Sequence, residues 1–197
     1  AEIILVKGDY ETALLYSNTA VKYAKEHNIP MDAKIVMFAP TFREGSSNGK
    51  RFVYSHEWSL DFERMLKNFE KRFGGEWFLC VRLHPQLAEK AGEYKHPVLA
   101  NRVVDASKAI DLYEILAAMD ACVTDYSTTS MDASLMRIPV FLYADDIESY
   151  LKDRGGMIWN ISTDTDAVVT NKKEMTPNLD VVLPFSVSKD NDEFERK

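Results

Sequence analysis

Short apolar runs rich in β-branched residues alternate along this chain with longer stretches that have the apolar spacing of helices. The runs with strand character are IILV, KIVMFA, EWFLCVRL, HPVLA, RVVD, ACVT and PVFLY. Helical spacing extends over residues 10–27, 58–72, 86–92, 109–119, 128–136 and 146–153. Strands that are apolar on both faces and are separated by helices form parallel sheets covered on two sides. The alternation therefore predicts an α/β fold, a doubly wound, Rossmann-like parallel sheet with helices on both faces.

The size and composition of the chain fit one domain. With 197 residues, of which 46% are hydrophobic, the chain can bury a sizeable core. The strand and helix pattern weakens after Asp153. We therefore expect a single Rossmann-like domain over residues 1–197, in which about 156–197 form a loop-rich tail packed on the sheet.

Charge and cysteine usage restrict the class of protein. The formal net charge of −7 argues against a general nucleic-acid binder, which needs lysine and arginine to neutralise phosphates. No apolar run approaches the roughly 20 residues that cross a bilayer, and the first ten residues do not have the pattern of a signal peptide. Cys80 and Cys122 lie inside apolar runs, which indicates small, buried, reduced side chains. We expect a cytoplasmic protein with no nucleic-acid partner.

The first strand exit with unusual chemistry follows KIVMF. In open parallel sheets ligands bind beyond the carboxyl ends of the strands, so the residues that follow each strand are the candidates for function. Here the long loop APTFREGSSNGKRFVYSHE carries Thr41 and Arg43, with Lys50 and Arg51 further along. Its length is typical of functional loops, although a solvated surface loop fits the length equally well.

The second exit, VRLHP, carries Arg82 and His84. If both residues lie on a strand end, their spacing of two directs both side chains to one face. Pro85 would then begin the next helix, because proline is favoured at the first helical position. Two roles stay open for His84, a hydrogen-bonded structural histidine or a functional group beside Arg82.

The third exit, ACVTDYSTTSMD, has the most specific chemistry. A buried strand runs into Asp125 and then into hydroxyl residues that would open a helix near Ser127 or Thr128. Unpaired N–H groups and hydroxyls at the positive end of a helix form an anion site that fits a phosphate. Asp132 lies four residues after Thr128 on the same helix face and would accept from a sugar or glycerol hydroxyl, or from an arginine. The alternative is that Ser127 or Thr128 only caps the helix.

The fourth exit, FLYADDIESYLKDRGG, contains the acidic pair Asp145 and Asp146. Because a helix follows, capping is the favoured interpretation, and a lone acidic pair is weak evidence for a metal. No zinc-ligand spacing occurs along the chain. We expect no cofactor, and a need for magnesium stays open.

Four motifs in order carry a family resemblance: KIVMFAPTFRE, VRLHP, DLYEILAAMDACVTDYSTTSMD and PVFLYADDIESYLKDRG. From about Lys34 to Gly155 the chain resembles the CDP-glycerol glycerophosphotransferase family of teichoic acid synthesis. The resemblance implies the C-terminal, donor-binding half of a two-domain GT-B fold, with about 1–33 as an interdomain segment. It also implies that the chain is a fragment, because the N-terminal domain that would hold the family's proposed general base has no counterpart here.

The resemblance further implies a reaction and the residues for it. Glycerol phosphate, or a related polyol phosphate, would pass from CDP-glycerol to a hydroxyl of a lipid-linked polymer, with CMP leaving, on the inner face of the cell membrane. His84 would be catalytic, hydrogen-bonding the diphosphate or protonating the leaving group. The substrate-binding residues would be Thr41, Arg43, Arg82, Asp125, Ser127, Thr128 and Asp132.

Two alternatives belong to other classes of protein. After Arg154 and Gly155 the chain lacks the proline-glycine step usual in the family, so the polyol of the donor stays open. A GT-B glycosyltransferase or sugar-nucleotide epimerase would use a UDP-sugar, but such enzymes usually hold the donor with a glutamate where this helix has Asp132. A non-catalytic α/β module that senses a nucleotide is the third possibility.

Overall fold

A computed structural model describes residues 10–48, 50–54, 59–89, 94–109, 111–154 and 168–169. The helices are α1 (Tyr10–Glu26), α2 (Phe62–Phe73), α3 (Pro85–Ala88), α4 (Leu112–Leu116), α5 (Thr129–Leu135) and α6 (Ile147–Arg154). The strands are β1 (Lys34–Ala39), β2 (Arg43–Ser47), β3 (Lys50–Tyr54), β4 (Trp77–Val81), β5 (Val103–Asp105), β6 (Ala121–Thr124), β7 (Val140–Tyr143) and β8 (Val168–Val169). The run IILV lies outside the described residues.

The main sheet has the strand order β5-β4-β1-β6-β7-β8, and each neighbouring pair is parallel. Numbered by their succession along the chain, these six strands read 3-2-1-4-5-6, which is the order of a Rossmann-like sheet. The prediction of a doubly wound parallel sheet is therefore confirmed. The order reverses between β1 and β6, and a ligand crevice is expected where the connections leave these two strands in opposite directions.

Both faces of the sheet are apolar, as the continuous hydrophobic runs predict. Alternate residues of β1 point to opposite sides, with Val36 and Phe38 in one core cluster and Ile35 and Met37 in the other. Helix α2 covers the first face, and α1, α4 and α5 supply side chains to the second. The six fully buried large side chains with the greatest volume are Phe69, Met37, Met65, Leu66, Leu79 and Leu116.

The cysteines and the end of α1 belong to the second core cluster. Cys80 and Cys122 are free thiols, and burial raises the pKa of each to about 12, which fits the prediction of buried, reduced side chains. Ala24 and Ile29 pack into the same cluster. The hydroxyl of Tyr23 lies 3.2 Å from the Sγ of Cys80. The segment before β1 is therefore packed on the sheet from at least Tyr23 onwards.

Helix α2 shows how local side chains set a boundary. It begins at Phe62, because the Asp61 carboxylate accepts a hydrogen bond from the backbone N–H of Arg64 and caps the first turn. It ends where Gly74 takes a positive φ of 66°. The predicted start at Trp58 was too early.

The predicted long loop after β1 contains a β-hairpin, and this part of the prediction was wrong. Strands β2 and β3 pair antiparallel from Arg43 opposite Tyr54 to Ser47 opposite Lys50. The connecting Asn48 has a positive φ of 52°, and Asn-Gly between two strands is a strong hairpin signal. A Cβ on Gly45 would lie 2.5 Å from Cζ of Phe52, so the glycine lets that ring pack against the opposing backbone.

Two other segments depart from the pattern. HPVLA is not a strand, because its described residues bend and lead into a 3₁₀ turn at Ala100–Arg102. In the predicted tail, Val168–Val169 extends the sheet by pairing parallel with β7. Among the described helices, none has the length and apolarity required to span a bilayer.

We expect Phe69→Ala to lower the free energy of unfolding by about 3–5 kcal/mol, since it empties the volume of a fully buried ring. The Phe69 ring packs 4.7 Å from Trp77 and 5.1 Å from Phe141, centroid to centroid. Phe73→Ala on the same helix is the control, because Phe73 is 36% exposed. Urea unfolding measures both, and an equal loss in the two variants would contradict the assignment of Phe69 to the core.

Candidate functional site

The ends of β1 and β6 are joined by side chains at the point where the strand order reverses. The hydroxyl of Thr124, the last residue of β6, donates to the carbonyl of Ala39 at 2.6 Å. The next residue, Asp125, accepts a hydrogen bond from the backbone N–H of Thr41 at 2.8 Å through Oδ1. The turn after β1 is thus held against the turn after β6, at the place where the strand order predicts the ligand crevice.

Arg43 lies buried at this crevice and joins three strand exits. Its Nε and Nη2 donate to the two carboxylate oxygens of Asp146 at 2.9 and 2.8 Å, in a bidentate ion pair. Nη2 also reaches Asp125 Oδ2 at 3.1 Å, and Nη1 donates to the carbonyl of Thr41 at 2.8 Å. Arg43 and Asp125 are each only 7% exposed. One guanidinium therefore ties the ends of β1, β6 and β7 to each other.

Two tyrosines complete this cluster. The rings of Tyr126 and Tyr150 stack with centroids 3.9 Å apart, and the guanidinium carbon of Arg43 lies 5.1 and 4.9 Å from their centroids. The Tyr126 hydroxyl donates to Asp146 at 3.0 Å. Burial and the neighbouring Asp146 charge raise the pKa of Tyr126, so its proton stays in place as a donor.

The charge of Arg43 is matched inside the protein. Burial alone would lower its pKa, but the hydrogen bonds and charges of Asp146 and Asp125 outweigh burial and raise it. The guanidinium therefore stays charged at any accessible pH and faces two carboxylates. In this arrangement it serves first to position the strand exits, and its expected contact with a diphosphate stays a prediction.

The acidic pair after β7 makes contacts that the sequence did not predict. Asp146 does precede α6, and its carbonyl accepts the N–H of Tyr150, but its side chain bonds Arg43 and Tyr126. Asp145 accepts from the hydroxyl of Ser59, which also contacts the hydroxyl of Tyr143. The described residues contain no group of three or more histidine, cysteine or acidic side chains suited to a metal ion.

Thr41 carries an unusual polar atom. Its Oγ1 is buried and has no hydrogen-bond partner in the described part of the chain. A buried polar group without a partner costs about 1–3 kcal/mol, so such an atom calls for an explanation. Its position at the strand reversal fits the predicted contact with a ligand.

Arg82 and His84 do not lie on a strand, because β4 ends at Val81. The argument that their alternation on a strand directs them to one face therefore fails. Nη1 of Arg82 donates to the carbonyls of Ala106 and Ala109 at 3.1 and 2.9 Å, which fixes the guanidinium to the loop after β5. Burial lowers the pKa of Arg82.

His84 is the N-cap of α3, which Pro85 begins as predicted. Its Nδ1 accepts the N–H of Gln86 at 3.4 Å, and its ring lies 4.3 Å from that of Phe42, centroid to centroid. Burial lowers the pKa of His84, which favours the neutral imidazole near pH 7. With Nδ1 as an acceptor, the proton of the neutral ring resides on Nε2. His84 is thus prepared to donate one hydrogen bond from Nε2.

The hydroxyl run after β6 divides into a capping part and an open part. Ser127 Oγ accepts the N–H of Thr129 at 3.2 Å and donates to the Thr129 hydroxyl at 2.9 Å. Thr128 is the N-cap residue of α5, is exposed, and makes no side-chain capping bond. The capping alternative therefore applies to Ser127, whereas the Thr128 hydroxyl is not used by the helix end.

Asp132 lies on α5 near a second element. Its Oδ1 accepts from the hydroxyl of Tyr113 at 3.1 Å, and Tyr113 is 52% exposed at the start of α4. The carboxylate is therefore oriented by a tyrosine rather than by the arginine considered from the sequence. The predicted contact of Asp132 with a ligand hydroxyl stays a prediction.

The structure brings Thr41, Arg43 and Asp125 into direct hydrogen-bonded contact, as their strand-exit positions predict. Sequence reasoning missed Asp146 as the partner of Arg43, together with the stacked pair Tyr126 and Tyr150. The available signal was charge balance, because a buried arginine between strand exits needs carboxylates from neighbouring exits. The aromatic pair left no spacing signal, since it unites two elements that are distant in sequence.

The order of strands and the side chains at the reversal define a Rossmann-like domain with a crevice at the carboxyl edge of its sheet. The chain matches the family model for CDP-Glycerol:Poly(glycerophosphate) glycerophosphotransferase over residues 11–193. The chain belongs to this family, which confirms the resemblance seen in the motifs.

Teichoic acid polymerases are among the similar proteins. The teichoic acid poly(glycerol phosphate) polymerase of Staphylococcus epidermidis is 30% identical over 137 residues, which cover 70% of this chain and 18% of that relative. The teichoic acid ribitol-phosphate polymerase TarL of Staphylococcus aureus is 29% identical over 144 residues, which cover 69% and 23%. The chain thus spans about a fifth of the length of these curated relatives.

Solved structures of the wall teichoic acid polymerase TagF have the same fold. A histidine-to-asparagine variant of TagF is 27% identical with a TM-score of 0.63, and the match covers 98% of this chain and 45% of TagF. One structure of that variant was soaked with CDPG, and there the identity is 26% and the TM-score 0.60 over 91% of this chain and 40% of TagF. The chain has the fold of the C-terminal, Rossmann-like half of a GT-B protein.

We expect His84 to have a pKa below that of histidine in a short peptide, because burial disfavours the imidazolium. We also expect the Nε2–H tautomer above that pKa, since Nδ1 accepts the N–H of Gln86. A titration followed by ¹H–¹⁵N NMR of the imidazole rings measures both, and His84→Gln assigns the signal. A raised pKa or a dominant Nδ1–H tautomer would contradict the geometry.

Proposed function

We propose that this chain is the donor-nucleotide-binding part of an enzyme that transfers glycerol phosphate, or a related polyol phosphate, from CDP-glycerol to a hydroxyl of a teichoic-acid-like or capsule polymer, with release of CMP. The observation that supports it most directly is the Thr41 hydroxyl, which lies at the strand reversal and is buried without a partner among the described residues. Membership of the glycerophosphotransferase family restricts the reaction to that class.

The chemistry of the reaction matches the groups at this edge of the sheet. When the phosphoanhydride of the donor breaks, negative charge grows on the departing CMP phosphate, so catalysis depends on positioning and on donors aimed at phosphate oxygens. Within the described residues, the Thr128 hydroxyl makes no capping bond and the Thr41 hydroxyl has no hydrogen-bond partner. Both hydroxyls are therefore donors for a ligand in this proposal. Arg82 is oriented by two neutral carbonyls and also interacts with the charge of Asp111, and we assign its guanidinium to attract a diphosphate.

His84 is assigned the role of hydrogen-bond donor in this proposal. Because burial lowers its pKa, the fraction of imidazolium near pH 7 is small, and protonation of the leaving group would need that form. The neutral ring still donates from Nε2 to a phosphate oxygen of CMP. Of the two roles considered from the sequence, hydrogen bonding to the diphosphate is therefore the one we retain.

The parts of the reaction that involve other molecules are proposed on the family relationship alone. The relatives include glycerol-phosphate and ribitol-phosphate enzymes, so the proposed donor is a CDP-polyol that carries glycerol, ribitol or a related polyol. The acceptor would be a lipid-linked polymer, which places the complete enzyme on the inner face of the membrane. The general base would come from an N-terminal GT-B domain facing this one.

Titration calorimetry of the chain with CDP-glycerol, CDP-ribitol, CMP and UDP-glucose tests the proposal. We expect the cytidine compounds to bind and UDP-glucose to bind at least tenfold more weakly, a difference of about 1.4 kcal/mol. We also expect less than a tenfold change in donor affinity when EDTA removes magnesium. Preference for UDP-glucose would favour the glycosyltransferase or epimerase alternative, and CMP release by the chain alone would contradict its assignment as the donor-binding part only.

Ser127→Ala and Thr128→Ala are expected to separate capping from ligand binding. Loss of the Ser127 cap should lower the free energy of unfolding by about 0.5–2 kcal/mol, because its hydroxyl holds the N–H of Thr129. Thr128→Ala should leave the melting temperature nearly unchanged. It should weaken the binding free energy of CDP-glycerol by about 0.5–1.5 kcal/mol, the value of one neutral hydrogen bond. Thermal melting and calorimetry on both variants check this, and unchanged donor affinity in Thr128→Ala would remove Thr128 from the site.

A further inference from the structure

The turn at Thr41 is held from two sides, and one of its polar atoms is left over. Its N–H donates to Asp125, and its carbonyl accepts from Arg43, each at 2.8 Å. Its hydroxyl oxygen is buried and finds no hydrogen-bond partner among the residues that the structure describes. Asp125 and Arg43 therefore fix the backbone of this turn, and the Thr41 hydroxyl contributes no hydrogen bond to holding it.

Arg43 depends in turn on Asp146. The carboxylate of Asp146 takes two bonds from the guanidinium, at 2.9 and 2.8 Å, and Asp125 takes one longer bond at 3.1 Å. A bidentate pair of this kind fixes the plane of the guanidinium. That plane determines where Nη1 points, and Nη1 is the atom that bonds the Thr41 carbonyl. Asp146 thereby sets the Thr41 turn although it bonds Arg43 rather than Thr41.

The same strand exit fastens the other end of the connection after β1. Asp145 accepts from Ser59, just as Asp146 accepts from Arg43, so two consecutive carboxylates hold residues on both sides of the hairpin. This arrangement links the exit of β7 to residues that are distant from it in sequence. It shows that the exit of β7 supports the crevice at the exit of β1.

We propose that Asp146 is a positioning residue for the transfer reaction: acting through Arg43, it holds the Thr41 hydroxyl where that hydroxyl donates to a diphosphate oxygen of the donor. The inference rests on the proposed function, which supplies the diphosphate. Thr41 follows β1 at the strand reversal, where ligands of such sheets bind. A phosphate oxygen at that place would give the buried hydroxyl the partner it lacks.

A double-mutant cycle on CDP-glycerol affinity tests the proposal, with wild type, Thr41→Val, Asp146→Asn and the double variant. We expect each single variant to weaken binding by about 3- to 10-fold, the effect of losing one neutral hydrogen bond. The double variant should bind no more weakly than Thr41→Val alone, because both changes remove the same contact. A purely structural role for Asp146 would give multiplied effects, and wild-type affinity in Asp146→Asn would also overturn the proposal.

Asp120→Asn is the matched control. Asp120 precedes β6 at the opposite edge of the sheet, and its carboxylate accepts the N–H of Ile35 at 2.8 Å. This variant loses a comparable carboxylate contact with a strand, and we expect its donor affinity to equal that of wild type. A loss in Asp120→Asn as large as in Asp146→Asn would show that affinity only follows stability and would overturn the proposal.

Arg43→Lys provides the same test if Asp146→Asn does not fold. Lysine keeps the charge beside Asp125 and Asp146 but lacks the planar fork that reaches the Thr41 carbonyl. Arg43→Lys should weaken the binding of CDP-glycerol about as much as Thr41→Val does. The double variant should bind CDP-glycerol no more weakly than Thr41→Val alone. If wild type itself fails to bind CDP-glycerol, the proposed function is wrong, which is a different result from wild-type binding with an unaffected Asp146→Asn.

Discussion

The reversal of strand order between β1 and β6 is the constraint on which the rest of this structure depends. Connections leave the two strands in opposite directions, so the backbone opens there and polar groups at the strand ends lose their neighbours. Thr124 and Asp125 repair this opening by bonding the backbone of Ala39 and Thr41. The same opening that the fold closes with side chains is the place where sheets with this strand order bind ligands.

The buried charges follow from that repair. Asp125 is nearly inaccessible to water, and an isolated buried carboxylate would be strongly unfavourable. Arg43 supplies the opposite charge. Asp146 accepts hydrogen bonds from its guanidinium, and the rings of the two tyrosines pack near the guanidinium. Breaking such a buried pair from one side typically costs about 3–5 kcal/mol. The cluster is therefore a fixed part of the domain, and the ligand contacts that we propose fall to Thr41, Arg82, His84 and Thr128.

Much of the fold was predictable because its signals are local or periodic. KIVMFA and ACVT form strands with the predicted bounds, and Tyr10–Glu26 is helical within the predicted range 10–27. The hairpin was missed although Asn48 precedes a glycine, because the apolar alternation beside it is weak. The meeting of Thr41, Arg43 and Asp125 was predictable from their strand exits, since parallel strands end at one edge of a sheet. The partners were not predictable, because Arg43 and Asp146 are separated by 103 positions and their meeting depends on strand order.

The two fastenings of the hairpin connection have a consequence for how this family can vary. Arg43 and Ser59, on the two sides of the hairpin, are bonded to the carboxylates that follow β7. A change of length in the hairpin turn should therefore leave the position of β1 unchanged. Insertions between Ser47 and Lys50 should therefore be tolerated by the domain. A segment held in this way is free to diverge among relatives, or to receive a fluorescent label, while the strand exits of β1, β6 and β7 keep their geometry.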